Sequence, residues 1–428
     1  MSKPTTHDPY QSLRLRDYRL LLIGNFIASL GEQMLAIAIG WELYERTNSA
    51  FLLGMVGLVQ ICPALVLSLY AGHFADRFDR KLIVVITQTV LVIASLGLAA
   101  LSYWHGPLLS IYGCLLLMGI AMAFNTPAAT TLPAQIVPEE AFENAATWSS
   151  SSWQLATVVG PALGGLVIAV LRSATVVYVL NAVAALVFTL LLMPIRVRPS
   201  AVPGRREIHE RATWRSLGEG MNFLRRTPIM LAAITLDLFA VLLGGATTLL
   251  PIFARDILHV GPEGLGWLRA APSIGALCVA FLYAHRPPFQ RAGRTLLLAV
   301  AGFGAATVVF GLSHSFWLSL LMLFILGGLD NISVVIRGTL ALTRTPDEMR
   351  GRVAAINGLF ISASSQLGGF ESGLTAQLFG PVLSVAGGGV GTVVVVLVVA
   401  LLWPELRRLR TLREIPGSLV QAPQGVEV

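Results

Sequence analysis

The stretch Gly72-His73-Phe74-Ala75-Asp76-Arg77-Phe78-Asp79-Arg80-Lys81 confines a knot of charge between two long apolar runs, roughly Phe51 to Tyr70 and Leu82 to Tyr103. Each run is long enough to cross a bilayer, which takes about 20 predominantly apolar residues in a helix. A soluble protein has little use for so tight a charged turn between two such segments. The turn points to a membrane protein, and the rest of the chain repeats the pattern.

Apolar residues make up 55% of the 428 residues and charged residues 12%, against roughly 25% charged in an ordinary soluble domain. Twelve apolar runs follow one another, at about 18–43, 51–72, 82–103, 107–129, 145–171, 174–194, 228–253, 264–284, 295–313, 316–340, 353–376 and 380–403. The fifth and eleventh are the least apolar. The runs are long and continuous, without the alternation of barrel strands, so helices are expected. The expected fold class is an all-α integral membrane protein with twelve transmembrane helices.

The basic residues set the expected topology. Twenty-five of the 30 lysines and arginines fall in six segments: the N-terminal arm, the 2–3 turn, the central connection, the 8–9 and 10–11 turns, and the tail. Basic residues concentrate on the cytoplasmic side, so both termini are expected there, in a multi-pass protein of the cell (inner) membrane. The net charge of +7 is thereby assigned to anionic lipid rather than nucleic acid. Cys62, Cys114 and Cys278 lie within spans at no metal-ligand spacing, and neither a disulfide framework nor a metal site is expected.

The chain divides into an arm (1–17), a first six-helix bundle (18–194), a linker (195–227) rich in proline and charge, a second bundle (228–403) and a tail (404–428). The end of the linker, with Trp214, Leu217, Met221, Phe223 and Leu224, reads as an amphipathic helix. The halves echo one another. Asn125-Thr126, then Pro138-Glu139-Glu140, then Gly164-Gly165 recur as Asn331-Ile332, Pro346-Asp347-Glu348 and Gly368-Gly369; Pro287 to Arg294 stands where a degenerate copy of the first charged turn belongs. Two pseudo-symmetric six-helix bundles related as repeats are the architecture of a transporter that holds substrate at their interface.

The Gly72–Lys81 stretch resembles the signature turn of the major facilitator superfamily, with Asp79 where the family usually has glycine. Glycine there suggests a left-handed backbone, which aspartate adopts less readily. Gly160-Pro161-Ala162-Leu163-Gly164-Gly165 is similar to the tail of the family's fifth-helix antiporter motif, while the fourth-helix arginine of proton-coupled drug antiporters is absent. Leu15-Arg16-Asp17-Tyr18-Arg19, Trp41 to Thr47 and Arg350-Gly351-Arg352-Val353 look most like the enterobactin-exporter-like and macrolide-efflux-like branch. The resemblance implies a central cavity lined by helices 1, 4, 7 and 10, and an efflux function.

An ionised side chain at mid-membrane is costly, so each one is a candidate. Glu32, Asp237 and Asp330 lie in spans 1, 7 and 10, and Asn125 supplies span 4. Glu32 belongs to a helical stripe with Asn25, Ser29, Gln33 and Ala36, and burial there favours its protonated form, as proton coupling requires. The bland alternative is a neutral acid that holds helices together. Arg337 shares a face of span 10 with Asp330, seven residues away, too far for a direct salt bridge; it is either a partner of the cavity or part of a gate. Asp237 could pair with Arg337 or Arg269, Arg269 itself reads as structural, and Glu371, among glycines, as a packing residue.

The charged turn is expected to work as a gate. By the family's arrangement Asp76 faces the N-terminal end of span 11, whose partial positive charge attracts a carboxylate. Arg77 and Arg80 then bind acidic groups or helix ends nearby and latch the cytoplasmic side while the transporter faces outward, in a gate motif that also holds Gly72 and Lys81; the plain alternative is charge that only sets topology. Gly160, Pro161, Gly164 and Gly165 fit close packing of spans 5 and 8. The expected function is secondary active transport, a proton-coupled export of an amphipathic siderophore-like or drug-like molecule by a monomer. The alternatives are an importer or uncoupled facilitator, and a transport-inactive scaffold or sensor. No nucleotide loop or metal cluster is present in the sequence, so no enzyme activity and no cofactor are expected.

Overall fold

The computed structural model describes residues 8–197, 214–285 and 291–409, with the backbone alone at 68–69, 73, 75–76, 214–217 and 347–348. The copied turn at 286–290, most of the linker and the end of the tail lie outside the described residues. Twelve long helices follow the twelve apolar runs: α1 (Arg16–Thr47), α2 (Ala50–Arg77), α3 (Arg80–Tyr103), α4 (Leu108–Thr131), α5 (Phe142–Leu171), α6 (Thr175–Leu192), α7 (Pro228–Leu243), α8 (Gly261–Ala284), α9 (Ala292–Leu312), α10 (Phe316–Arg344), α11 (Asp347–Phe379) and α12 (Pro381–Leu402). After α7 the chain continues through short turns of 3-10, α and π helix, Gly245–Leu249, Leu250–Ile252 and Phe253–Ile257.

Eleven helical stretches are long and apolar enough to cross a membrane among the described residues. The exception is α11, whose 33 residues include Asn357, Gln366, Glu371 and Gln377. It packs against α2, α7 and α12. On other helices, large apolar side chains such as Leu109, Trp317 and Leu401 are turned outward and exposed. That is the surface a lipid solvent favours, because polar backbone is already satisfied within each helix.

The charged stretch is mostly helical. α2 runs on through Arg77, leaving Phe78 and Asp79 as the turn. Asp79 has φ of −62° and its side chain accepts from the Lys81 amide at 2.9 Å. The aspartate therefore meets no left-handed strain. It replaces glycine's freedom with an N-cap, the role its short acceptor side chain suits. Gly72 has no neighbour where a Cβ would sit, and neither has Gly351 near the start of α11. The linker's last part is indeed a helix, Trp214–Arg226, with Leu224 buried and Glu219 paired to Arg352 of α11 at 2.6 Å.

Packing repeats with the sequence. In the first half α1 packs on α5 and α6, α3 on α4 and α6, and α2 on α4. In the second, α7 packs on α11 and α12, α9 on α10 and α12, and α8 on α10. The second set is the first shifted by one six-helix bundle. The halves meet along α2–α11 and α5–α8, and the same shift carries one of these pairs into the other.

Glycines make both contacts possible. A Cβ on Gly373 of α11 would sit 2.7 Å from the Gly54 Cα of α2, and one on Gly266 of α8 would sit 2.6 Å from the Pro161 carbonyl oxygen. The glycines of α5 divide their work. Pro161 and Gly165 face α8, whereas Gly160 and Gly164 lie against Gln33 and Met34 of α1. One turn of spacing puts each pair on its own face.

These contacts gather at the end of the molecule that carries the α1–α2 turn. There Ser49 Oγ donates to Gln377 of α11 at 3.3 Å. The Tyr44 hydroxyl donates to the Asp256 carboxylate. Arg255 donates to the Tyr44 carbonyl at 3.3 Å and to Asn48 Oδ1 at 2.8 Å, with its guanidinium 5.5 Å from the Tyr44 ring centre. Tyr44 and Asn48 belong to the first half, Arg255 and Asp256 to the second. A hydrogen bond to a charged group contributes about 1.5–3 kcal/mol, so Asp256→Asn should shift the balance of halves at this end by about tenfold or more. Spin labels at positions 105 and 259, one on each half, would report this as a larger long-distance population. An unchanged distance distribution would show that the contact holds nothing shut.

Candidate functional site

Between the halves lies a cavity of about 460 Å³. α1 supplies Glu32 and Gln33, α2 Gln60, α4 Met118 and Met122, α8 Arg269 and α11 Gln366, with Thr247 and Thr248 from the turns after α7. Leu53, Val56, Leu250 and Leu265 complete an apolar wall. Gly40 and Pro251 close it overhead at the α1–α2 end, a Cβ on Gly40 lying 3.1 Å from Pro251. A few convergent polar groups in an apolar concavity are the usual form of a small-molecule site.

Of the sequence-predicted cavity residues, Glu32 and Gln33 are there. Their place follows from the stripe on α1: Gly31 and Met34 are buried among helices, while Glu32, Gln33 and Ala36 turn toward the cavity. Asn25, a turn or two earlier, is half-buried and away from this lining. Asn125 is buried inside the first half, where its Oδ1 accepts from Thr87 of α3 at 3.0 Å. It ties α3 to α4 rather than facing the cavity.

Asp237, Asp330 and Arg337 form a second polar place, within the second half. Arg337 of α10 pairs with Asp237 of α7, and its Nε donates to Ser333 Oγ at 3.1 Å. Asp237 and Arg337 are both buried. Asp330 borders the same small space with Asp237, Ser333 and, from α9, Val300 and Phe303. It makes no ion pair of its own among the described residues, yet it feels the charges of both neighbours. Helix 10 supplies none of the lining in this conformation, and span 7 lines the cavity through Thr247, Thr248, Leu250 and Pro251 rather than through Asp237. The physical reason is pairing: with few polar groups available, α7 and α10 turn their charges toward each other instead of toward the cavity.

Arg269, expected to be structural and paired, stands in the cavity instead. Its guanidinium donates to the Thr247 carbonyl at 3.1 Å and meets no carboxylate among the described residues. Gln60, Gln366, Thr247 and Thr248 were not anticipated either. Arg269 could have been, since it is the one basic residue of span 8 and had no evident partner within its helix.

In the charged turn, Lys81 Nζ donates to the carbonyls of Met193 at 2.7 Å and Ile195 at 2.9 Å. A cation at the end of α6 is well placed against that helix's partial negative charge, so Lys81 ties the first half to itself. Arg77 is exposed and makes no ion pair among the described residues. The side chain of Asp76 lies outside the described ones. Glu371 keeps to its neighbour, its carboxylate accepting from Ser372 at 3.4 Å.

The buried cluster has a stability consequence. Arg337→Gln leaves two carboxylates, Asp237 and Asp330, without a counter-charge, whereas Asp237→Asn leaves Asp330 near Arg337. Breaking a buried pair costs about 3–5 kcal/mol, so thermal melting in detergent should show Arg337→Gln as the more damaging change. Equal losses would mean that Asp330 plays no part in balancing Arg337.

Comparison with known proteins places this architecture. A family model described as transmembrane secretion effector matches residues 7–424. The chain is 27% identical over 405 residues to the Enterobactin exporter EntS of Citrobacter koseri, covering 94% of this chain and 95% of that one. It is 27% identical over 370 residues to the Multidrug efflux pump Tap of Mycolicibacterium fortuitum, covering 84% and 89%. Among solved structures it is similar to a bacterial homologue of the human lysosomal transporter Spinster in an inward-facing, unoccupied conformation. That likeness has a TM-score of 0.71 at 15% identity and covers 94% of this chain and 98% of that one. The nucleoside transporter NupG is similar with a TM-score of 0.66 at 13% identity, over 92% and 100%. The chain belongs to the transmembrane secretion effector family, within the major facilitator superfamily of membrane transporters.

Proposed function

We propose that this transporter exports an amphipathic small molecule by alternating access, coupled to protons through Glu32. The observation that carries the reading is the position of Glu32: a carboxyl midway along α1, without a hydrogen-bonding or ionic partner among the described residues, in the wall of a cavity between the halves. A group that gains and loses a proton must be reachable from the space that changes sides, and few other positions meet that need. The mixed lining suits a molecule with an apolar body and polar groups. Relatives that are named as an enterobactin exporter and a multidrug efflux pump support efflux and a siderophore-like or drug-like substrate.

The distribution of basic residues supports a cytoplasmic position for both termini and for the α2–α3 turn. The end closed by Tyr44, Arg255 and Asp256 is then the outer one, and the conformation described is inward-facing. Asp76, Arg77 and Arg80 act as the cytoplasmic latch in the opposite state; the exposure of Arg77 and the empty space beside Gly72 fit a latch that is open here. One chain contributes both walls of the cavity, which suits a monomer in the inner membrane.

Proteoliposomes with an interior pH dye test the coupling. On addition of enterobactin or an amphipathic drug, the wild type should move protons and Glu32→Gln should not, while the mutant remains folded by its melting curve. Substrate flux that is unchanged in Glu32→Gln and moves no protons would leave an uncoupled facilitator.

A further inference from the structure

Two charged side chains line the central cavity among the described residues, Glu32 and Arg269. Arg269 is treated differently from Arg337 and Arg46. Arg337 is answered by Asp237, and Arg46 by Glu42 at 2.5 Å. Arg269 has only the neutral Thr247 carbonyl, and no carboxylate among the described residues lies within the 4.0 Å of an ion pair. A guanidinium stays protonated and presents five N–H donors in a planar fork that matches an oxyanion with two parallel bonds. The cavity therefore holds a permanent positive charge with most of its donors unspent. Its one fixed anion, Glu32, is of the kind a proton can discharge.

We infer that the cavity takes an amphipathic organic anion, whose carboxylate, phosphate or ionised phenol docks on Arg269 while its apolar body lies against Val56, Met118, Met122 and Leu265. The inference rests on the transport reading above and names the substrate class for it. Glu32 shares the cavity and repels such an anion when ionised, so the anion and the proton on Glu32 favour one another. Gln33, Gln60 and Gln366 supply neutral hydrogen bonds around the docked group.

Three probes of one shape separate charge from size: 2-naphthoate, 2-naphthamide and 2-naphthylmethylammonium. Their binding to the purified full-length protein is measured by titration calorimetry in detergent. Naphthoate should bind about tenfold tighter than naphthamide or better, the worth of one charge-assisted hydrogen bond. Arg269→Gln should erase that preference while retaining naphthamide, Arg269→Lys should keep part of it, and Glu32→Gln should bind naphthoate no more weakly than the wild type. The Lys variant keeps the test valid should the Gln variant fail to fold. Naphthoate binding no tighter than naphthamide, binding of none of the probes, a preference that survives in Arg269→Gln, or tightest binding of the ammonium would each overturn the inference. Proton movement in liposomes without an anion preference would remove this inference and leave the transport reading standing; an anion preference without proton movement would do the reverse.

Discussion

A charge inside the hydrocarbon must be answered by an opposite charge, by hydrogen bonds or by water, and this constraint sorts the ionisable residues of the chain. Asp237 and Arg337 answer each other inside the second half. Glu42 and Arg46 do so at the α1–α2 end, where Arg46 also donates to the Ser102 carbonyl at 3.0 Å. Asp256 is met by Tyr44 across the interface. Asp330 lies beside the first of these pairs, Glu371 meets Ser372, and Glu32 and Arg269 stand in the cavity between the halves. The pairs that are answered serve as struts within or between the halves. The two in the cavity are the charges that face the space between the halves.

Much of this architecture was legible in the sequence because the bilayer is a severe solvent. The lengths of the apolar runs and the echo between Asn125–Gly165 and Asn331–Gly369 each follow from one-dimensional rules. The packing of α1 to α6, repeated in α7 to α12, is that echo in three dimensions. The stripe through Glu32 was legible for a similar reason, since a single helix's periodicity decides which residues share a face.

Which face a partner helix covers was not legible. Asp237 and Asn125 sit on helices that could line a cavity, but their neighbours Arg337 and Thr87 come from other helices and turn them inward. Arg269 failed in the opposite direction: the general expectation that a buried arginine is paired gave no hint that α8 turns this one toward the cavity. The glycines of α5 show the same limit. Sequence marks Gly160, Pro161, Gly164 and Gly165 as a small-residue surface, but the division between α1 and α8 depends on where those helices stand.

The contact between α2 and α11 has a register. Gly54 meets Gly369, and Gly57 meets Gln366, so the two antiparallel helices are aligned like the two sides of a zip fastened at its upper teeth. Continued down the pair at the same offset, the alignment sets Gly72 opposite Gly351, and both are uncrowded in this conformation. Side chains are missing at those two places although nothing presses on them here. The lower teeth are already cut to size: α2 and α11 carry, in residues that do no packing in the present state, the shape of the interface that would form if the transporter closed at its other end.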